Sequence, residues 1–496
     1  MPSTTVVPLW IDGKPRLSSD GGTFDVINPL NKEKASISAS ASLQDCKEAV
    51  EAAGRAFPTW EKHPAALKRD IFFKAVKLLQ SEKYTLKIAE ALRDETASIE
   101  QWTNINIVGS RNQLMEAASL ATSIKGESFP SSSAIGGQVF VQRIPHGAVL
   151  AIAPWNAPIS LSFRAIAIPL ICGNTVVLKS SEYSPRAQEI VVEIMHEAGI
   201  PPGVLNYISM SRQDSPRLTA ELIGNPIIRH INFTGSDRVG RIIAAEAAKY
   251  LKPCVFELGG KAPAVVLDDA DTDAAARSIA QGALLHSGQI CMSTERVIVQ
   301  RNASETLIPK LKSLFERIRA GDTRLNAQSN NKVRLSALFS EASAENVLSM
   351  LDEAQKDGAE LLVGDMKRDG AVVQPHLLKG VRPGMRIWER ESFGPLVGIS
   401  VVDTVDEAIE LANATDYSLS AAVWTKDVNL ALNVASRVRA GCKSVNGSTF
   451  HSEVGLGHAG LGGATGYGRF DIDNFTVKTM ICIHPPQAAY PLVDDL

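Results

Sequence analysis

Two successive α/β units, each built around a mostly parallel sheet, are the fold class that this sequence predicts, and three observations carry the prediction. From residue 147, short apolar runs at Ala148 to Ala153, Thr175 to Leu178, Leu205 to Ile208 and Ile228 to Phe233 alternate with stretches of helical periodicity. Continuous apolar runs of this kind mark strands buried on both faces, which is the situation in a parallel sheet covered by helices. A second alternating series begins after Leu258, and 496 residues leave room for two or three domains. The expected architecture is a pair of Rossmann-like domains.

Taken in order, residues 44 to 57 put Cys46, Ala49, Val50, Ala53 and Phe57 on one helical face and Glu48, Glu51 and Arg55 on the other, as in a packed surface helix. The first series places helices at 159 to 170, 184 to 198, 216 to 223 and 236 to 249 between its strands. The second places helices at 273 to 286, 304 to 319, 344 to 356, 405 to 413 and 427 to 438, separated by strands at 295 to 299, 360 to 363, 397 to 402 and 443 to 446. Ser128 to Gly137, small and polar, precedes Val139-Phe140-Val141-Gln142-Arg143 and reads as an excursion from the first domain. The domains expected are 1–122 with 146–258, then 259–455, and the crevice between two such sheets is the default ligand site.

A hydrophobic content of 45 %, a net charge of −3 and a pI near 6.3 give no electrostatic footprint for nucleic acid or an anionic membrane surface, so small-molecule substrates are expected. No apolar run approaches the roughly 20 residues of a spanning helix. Cys46, Cys172, Cys254, Cys291, Cys442 and Cys482 show no paired spacing, which predicts free thiols in a reducing compartment. With no leader-like pattern at Met1 to Trp10 and no address at Asp494-Asp495-Leu496, the cytoplasm is the expected location.

Chemistry concentrates in Phe256-Glu257-Leu258-Gly259-Gly260-Lys261 and Gly288-Gln289-Ile290-Cys291. A thiolate attacks an electrophilic carbonyl and holds the product covalently, and a carboxylate nearby activates the water that releases it. Cys291 follows a helix and a Ser287-Gly288 turn that leaves its backbone N–H free to donate; the competing reading of any lone cysteine is a small buried hydrophobe. Glu257 ends the strand Cys254-Val255-Phe256, where an apolar setting is expected to raise its pKa; the competing reading is a salt-bridged structural glutamate. Asn156, in Ala153-Pro154-Trp155-Asn156-Ala157-Pro158, is held in a proline-stiffened turn from which its amide can donate to a forming alkoxide.

Phe233-Thr234-Gly235-Ser236-Asp237-Arg238-Val239-Gly240 follows a strand and opens a helix with Ser236 as N-cap, a setting that favours a pyrophosphate. A literal G-x-G-x-x-G at Gly455-Leu456-Gly457-His458-Ala459-Gly460 is rejected as a dinucleotide site, because it follows a Ser/Thr-rich loop and leaves too little chain for a βαβ unit. Lys179 and Glu182 end the Thr175 to Leu178 strand, at the edge where open sheets bind ligands; a solvated charge pair is the alternative.

With Pro154-Trp155-Asn156 upstream and Glu391-Ser392-Phe393-Gly394-Pro395 downstream, these motifs resemble, in order and separation, those of the aldehyde dehydrogenase superfamily, over nearly the entire chain. The resemblance implies oxidation of an aldehyde to the acid through a thiohemiacetal and thioester on Cys291, with Glu257 as base and Asn156 as oxyanion donor. It implies cofactor contacts by Trp155, Gly235, Ser236, Lys179 and Glu182, the last two on the adenosine ribose, and by Glu391 and Phe393 on the nicotinamide ribose. An acidic residue at 182 accepts from a 2′-hydroxyl and repels a 2′-phosphate, so NAD is expected, with NADP as the alternative. No metal is implied. The pattern Ala157, Ser160, Leu161, Arg164 resembles the branch that acts on benzaldehyde, vanillin and salicylaldehyde, with Arg164 on a ring hydroxyl or carboxylate, or else in an ion pair at a domain seam. Gly455 to Gly460, with Gly462-Gly463 and Thr465-Gly466-Tyr467-Gly468-Arg469, resemble the family's C-terminal glycine-rich loop, departing from it at Leu461 and Gly463. The segments 123–145 and 476–490 are implied to form a β hairpin element of a homodimer or homotetramer. The rivals are a CoA-acylating dehydrogenase, which typically lacks a base at position 257, and a non-catalytic relative that keeps only the fold.

Overall fold

The computed structural model describes residues 6–324, 332–453 and 459–486, together with Tyr490, Leu492 and Asp494. The rejected glycine motif lies in part, at residues 455–458, outside the described residues, as does most of the stretch after 486.

The first series folds into a seven-stranded sheet in the order Cys254–Glu257, Ile228–Thr234, Ala148–Ile152, Thr175–Lys179, Leu205–Ile208, Leu9–Ile11, Lys14–Arg16. Its first five strands are parallel, and the N-terminal pair is added antiparallel at one edge. Every residue of Ala148–Ile152 and Thr175–Lys179 is buried, as the unbroken apolar runs require. Helices Pro158–Ile171 and Pro185–Glu197 each start with proline, whose fixed φ suits the first turn. Ser236 caps Asp237–Ala248 by accepting from the Val239 N–H at 3.4 Å.

The second series forms another seven-stranded sheet, ordered Glu360–Val363, His376–Lys379, Leu396–Val402, Thr294–Gln300, Ala262–Val266, Ser420–Trp424, Cys442–Val445. Three of its interior strands, His376–Lys379, Ala262–Val266 and Ser420–Trp424, are absent from the sequence reading. The first is a four-residue run that carries His376 and Lys379, the other two are diluted with alanine, and those two are completed only by neighbours far along the chain. The region after Trp60 likewise holds three helices that the sequence reading left unassigned, Ala65–Leu79, Glu82–Thr96 and Glu100–Leu120. The last packs on Pro158–Ile171 and so reaches the crevice.

Gln138–Pro145 pairs antiparallel with Thr476–Ile483 along eight residues of each strand, and Glu127–Pro130 joins its other edge. Phe129, Phe140, Ile144, Met480, Ile481 and Ile483 of this sheet are exposed. All six cysteines are free thiols, and among the described residues no helix is long and apolar enough to cross a membrane.

Candidate active site

Helix Thr272–Leu284 ends in a turn with His286, Ser287 and Gly288 successively at φ 51°, 58° and 77°. Left-handed backbone in non-glycine residues costs on the order of 1–3 kcal/mol each and persists only where the surroundings fix it. Here Ser287 Oγ donates to the Ser336 carbonyl at 2.7 Å, and Gln289 Nε2 donates to the His286 carbonyl at 3.1 Å. The His286 ring stacks on Trp102 at 4.8 Å, and burial pushes its pKa down to about 3, so it is neutral at physiological pH. This over-determined turn delivers Cys291, whose thiol pKa is raised by burial and then by the nearby charges of Glu257 and Glu391, with Arg164 and its own backbone N–H opposing.

Asn156 arrives from the other side. Its Nδ2 donates to the Gln289 carbonyl at 3.0 Å, and its own carbonyl accepts the Trp102 indole N–H at 2.7 Å. The sequence-predicted amide is therefore fixed against the segment that bears the thiol. Glu257 is buried at the end of its strand and paired with the Arg164 guanidinium, which also donates to Thr234 Oγ1 at 2.9 Å and lies 4.8 Å over the Phe470 ring. Of the two readings of Arg164, contact with a ring substituent or an ion pair, the geometry carries the ion pair. Its partner is the candidate base itself, not a group at a domain seam. The salt-bridged alternative for Glu257 and its placement beside Cys291 thus coexist.

Around the thiol, Trp102, Ala157, Leu285, Ile290, Met292 and Leu419 form one apolar cluster, with Leu161 and Phe450 packed against it. Trp102 and Phe450 face each other at 6.0 Å between centroids, tilted by 49°. Ala157 lies in this cluster and Leu161 packs against it, while Trp102 and Phe450 were not singled out in the sequence. A lone tryptophan in Glu100-Gln101-Trp102-Thr103-Asn104, and Phe450 in a Ser/Thr-rich loop, were the available signals.

The cofactor candidates Lys179, Glu182, Gly235 and Ser236 lie at strand ends and in the turns that follow them. Lys179 is buried, its pKa lowered by desolvation and partly restored by Glu182, and its ammonium donates to the Ser180 carbonyl at 2.9 Å. Gly235 and Ser236 lie where strand Ile228–Thr234 gives way to the next helix. Glu391 accepts the Gly260 N–H at 2.8 Å, and burial followed by the Glu295 charge raises its pKa to about 8. Trp155 meets Phe393 edge-on at 5.8 Å and Phe339 at 4.3 Å, and Tyr183 meets Phe339 at 5.2 Å; Phe339 and Tyr183 had not been singled out. An ammonium and a carboxylate at and after a strand end, a capped helix N-terminus, and a second carboxylate beside Phe393 are groups that fit a dinucleotide.

A model of the aldehyde dehydrogenase family matches residues 17–481. The chain belongs to that family. It is 41% identical to a vanillin dehydrogenase of a Pseudomonas species over 492 residues, covering 98% of this chain and 99% of the relative. Similarity to a salicylaldehyde dehydrogenase of Pseudomonas putida is 39% over 486 residues, 97% of this chain and 98% of the relative. The crystal structure of a salicylaldehyde dehydrogenase from Pseudomonas putida complexed with salicylaldehyde matches with a TM-score of 0.93 at 38% identity, covering 98% of this chain and 99% of that one. Family membership and the two parallel sheets agree with the sequence expectations.

Proposed function

We propose that this aldehyde dehydrogenase oxidises aromatic aldehydes to their acids, with Cys291 as nucleophile, Asn156 as oxyanion donor and Glu257 as base, and with NAD as hydride acceptor. The observation that carries the substrate class is the Trp102 and Phe450 pair across the apolar cluster that holds Cys291. At that spacing the two rings touch each other, so an aryl substrate would lie beside the pair, making the edge-to-face or offset contacts that aromatic rings prefer. Relatives named for vanillin, salicylaldehyde and benzaldehyde support it.

Cys291 attacks the aldehyde carbon as thiolate, and the alkoxide that forms is met by the Asn156 amide and the Cys291 N–H. Removing one such donor typically costs about 3 kcal/mol of transition-state stabilisation. The chemistry supplied by a bound nicotinamide dinucleotide is acceptance of the hydride, which leaves a thioester on Cys291. Glu257 then takes a proton from water that attacks the thioester, and Cys291 leaves as thiolate. Arg164 holds Glu257 in place through their ion pair. Lys179 and Glu182 would hold the adenosine ribose, Gly235 and Ser236 the pyrophosphate, and Glu391, Phe393 and Trp155 the nicotinamide side. Glu182 favours NAD; NAD-dependent and NADP-dependent relatives both occur among the similar proteins.

The exposed apolar face of the hairpin sheet supports assembly into a homodimer or homotetramer, and six free thiols support a reducing, cytoplasmic setting. Initial rates of nicotinamide reduction with salicylaldehyde, vanillin, benzaldehyde and propanal, with NAD and then NADP, test the proposal against a Cys291→Ala control. Faster turnover of aromatic aldehydes with NAD, lost in the control, is expected. Equal turnover of propanal overturns the substrate class, and turnover that depends on CoA overturns the hydrolytic role of Glu257.

A further inference from the structure

We propose that Glu295 is a positioning residue: it locks the Glu391–Phe393 segment in register with Cys291, so that the carbon bound to the thiol and the hydride acceptor meet at the right separation. The inference rests on the reading, given above, that Glu391 and Phe393 hold the nicotinamide side of the cofactor.

Glu295 lies just beyond Cys291, near the start of strand Thr294–Gln300, and its side chain is 3% exposed. One of its oxygens accepts the Ser392 N–H at 3.0 Å; the other accepts the same N–H at 3.1 Å and the Phe393 N–H at 3.4 Å. Consecutive backbone N–H groups that converge on one anion form a nest, a conformation requiring left-handed backbone in one residue. Phe393 supplies it, at φ 51°. An aromatic side chain rarely adopts that φ, so the anion in the nest is what makes the conformation persist. The Lys261 ammonium, fully buried, pairs with the same carboxylate.

Further contacts fix the same segment. Glu391 accepts from Gly260, the residue before Lys261. On the far side of Cys291, Gly288 lies so close to the Gly394 carbonyl that a Cβ would collide with it. The segment is thus clamped by residues on both sides of the nucleophile, and Glu295 is the ionic member of the clamp. Packed under the segment and buried, the carboxylate orients groups and takes no part in the reaction. Misplacement of reacting atoms by about 1 Å can cost about a hundredfold in rate, which sets the scale of the effect.

The test uses Glu295→Gln in the full chain, with Glu391→Gln in parallel. Three quantities are read: kcat with benzaldehyde and NAD, the isotope effect on kcat with benzaldehyde deuterated at the formyl carbon, and cofactor-free hydrolysis of p-nitrophenyl acetate by Cys291. Glu295→Gln is expected to lower kcat by about tenfold to a hundredfold and to raise the isotope effect, because hydride transfer becomes limiting, while ester hydrolysis changes less than about twofold. Equal losses of dehydrogenation and ester hydrolysis with an unchanged isotope effect would mean that Glu295 merely supports the core, and would overturn the proposal. An unchanged kcat in Glu295→Gln alongside a depressed one in Glu391→Gln also overturns it while leaving the cofactor reading standing. An unaffected Glu391→Gln removes the cofactor reading and this inference with it. Where Glu295→Gln does not fold, Lys261→Met with Glu295→Leu replaces the buried pair by apolar side chains of similar length and is read in the same way.

Discussion

Replacing Arg164 by leucine is the sharpest probe of how the candidate base is held. Its side chain is 10% exposed and that of Glu257 3%, so the substitution strands a carboxylate in a place that water hardly reaches. Removing one partner of a buried pair costs about 3–5 kcal/mol. Part of that is not the pair: the hydrogen bond to Thr234 is worth about 1 kcal/mol and the contact over Phe470 about 0.5–1 kcal/mol. In a Glu257→Gln background no charge is left to strand, so Arg164→Leu should then cost only those smaller contributions. A double-mutant cycle by urea denaturation at pH 7 should therefore give a coupling of about 2 kcal/mol. In kinetics, Arg164→Leu should depress kcat for salicylaldehyde and benzaldehyde alike, because what is lost is water activation. Additivity within about 0.5 kcal/mol, combined with a rise in KM confined to hydroxybenzaldehydes, would refute this reasoning and return Arg164 to the substrate.

Two further predictions follow from the same geometry. The Cys291 thiol, raised by burial and by Glu257 and Glu391, should react with iodoacetamide in the absence of cofactor at a rate that climbs about tenfold per pH unit from pH 6 to 9 without a plateau. Glu257→Gln should speed that alkylation at neutral pH and Arg164→Leu should slow it, since they remove charges of opposite sign; a plateau below pH 8 contradicts the expectation. Trp102→Leu removes an aromatic contact worth about 0.5–1.5 kcal/mol and the donor to the Asn156 carbonyl. The expected outcome is a KM for benzaldehyde raised about three- to tenfold relative to propanal, with a drop in kcat for both; an unchanged ratio removes Trp102 from the pocket.

Legibility in the sequence tracks how local the cause is. Ala148–Ile152 and Thr175–Lys179 could be read directly, because a strand covered on both faces needs an unbroken apolar run. Ser236 could be read as a cap because its hydrogen bond spans three residues. Ala262–Val266 and Ser420–Trp424 could not, although they are no shorter: both are diluted with alanine and the first carries Pro263, so each is recognisable only when distant partners complete the ladder.

For the site, the sequence by itself named the candidates for the proposed chemistry. Cys291, Glu257 and Asn156 lie in motifs whose residue types and surroundings point to a reaction before any fold is known. Their partners were decided by the tertiary structure alone. It set Arg164 on Glu257, Trp102 on the Asn156 carbonyl and on His286, and the Lys261–Glu295 pair beneath Phe393. The physical reason is that charges and amides leave water only in pairs, and an amino-acid sequence names the members without giving the distances at which pairing repays the loss of solvent.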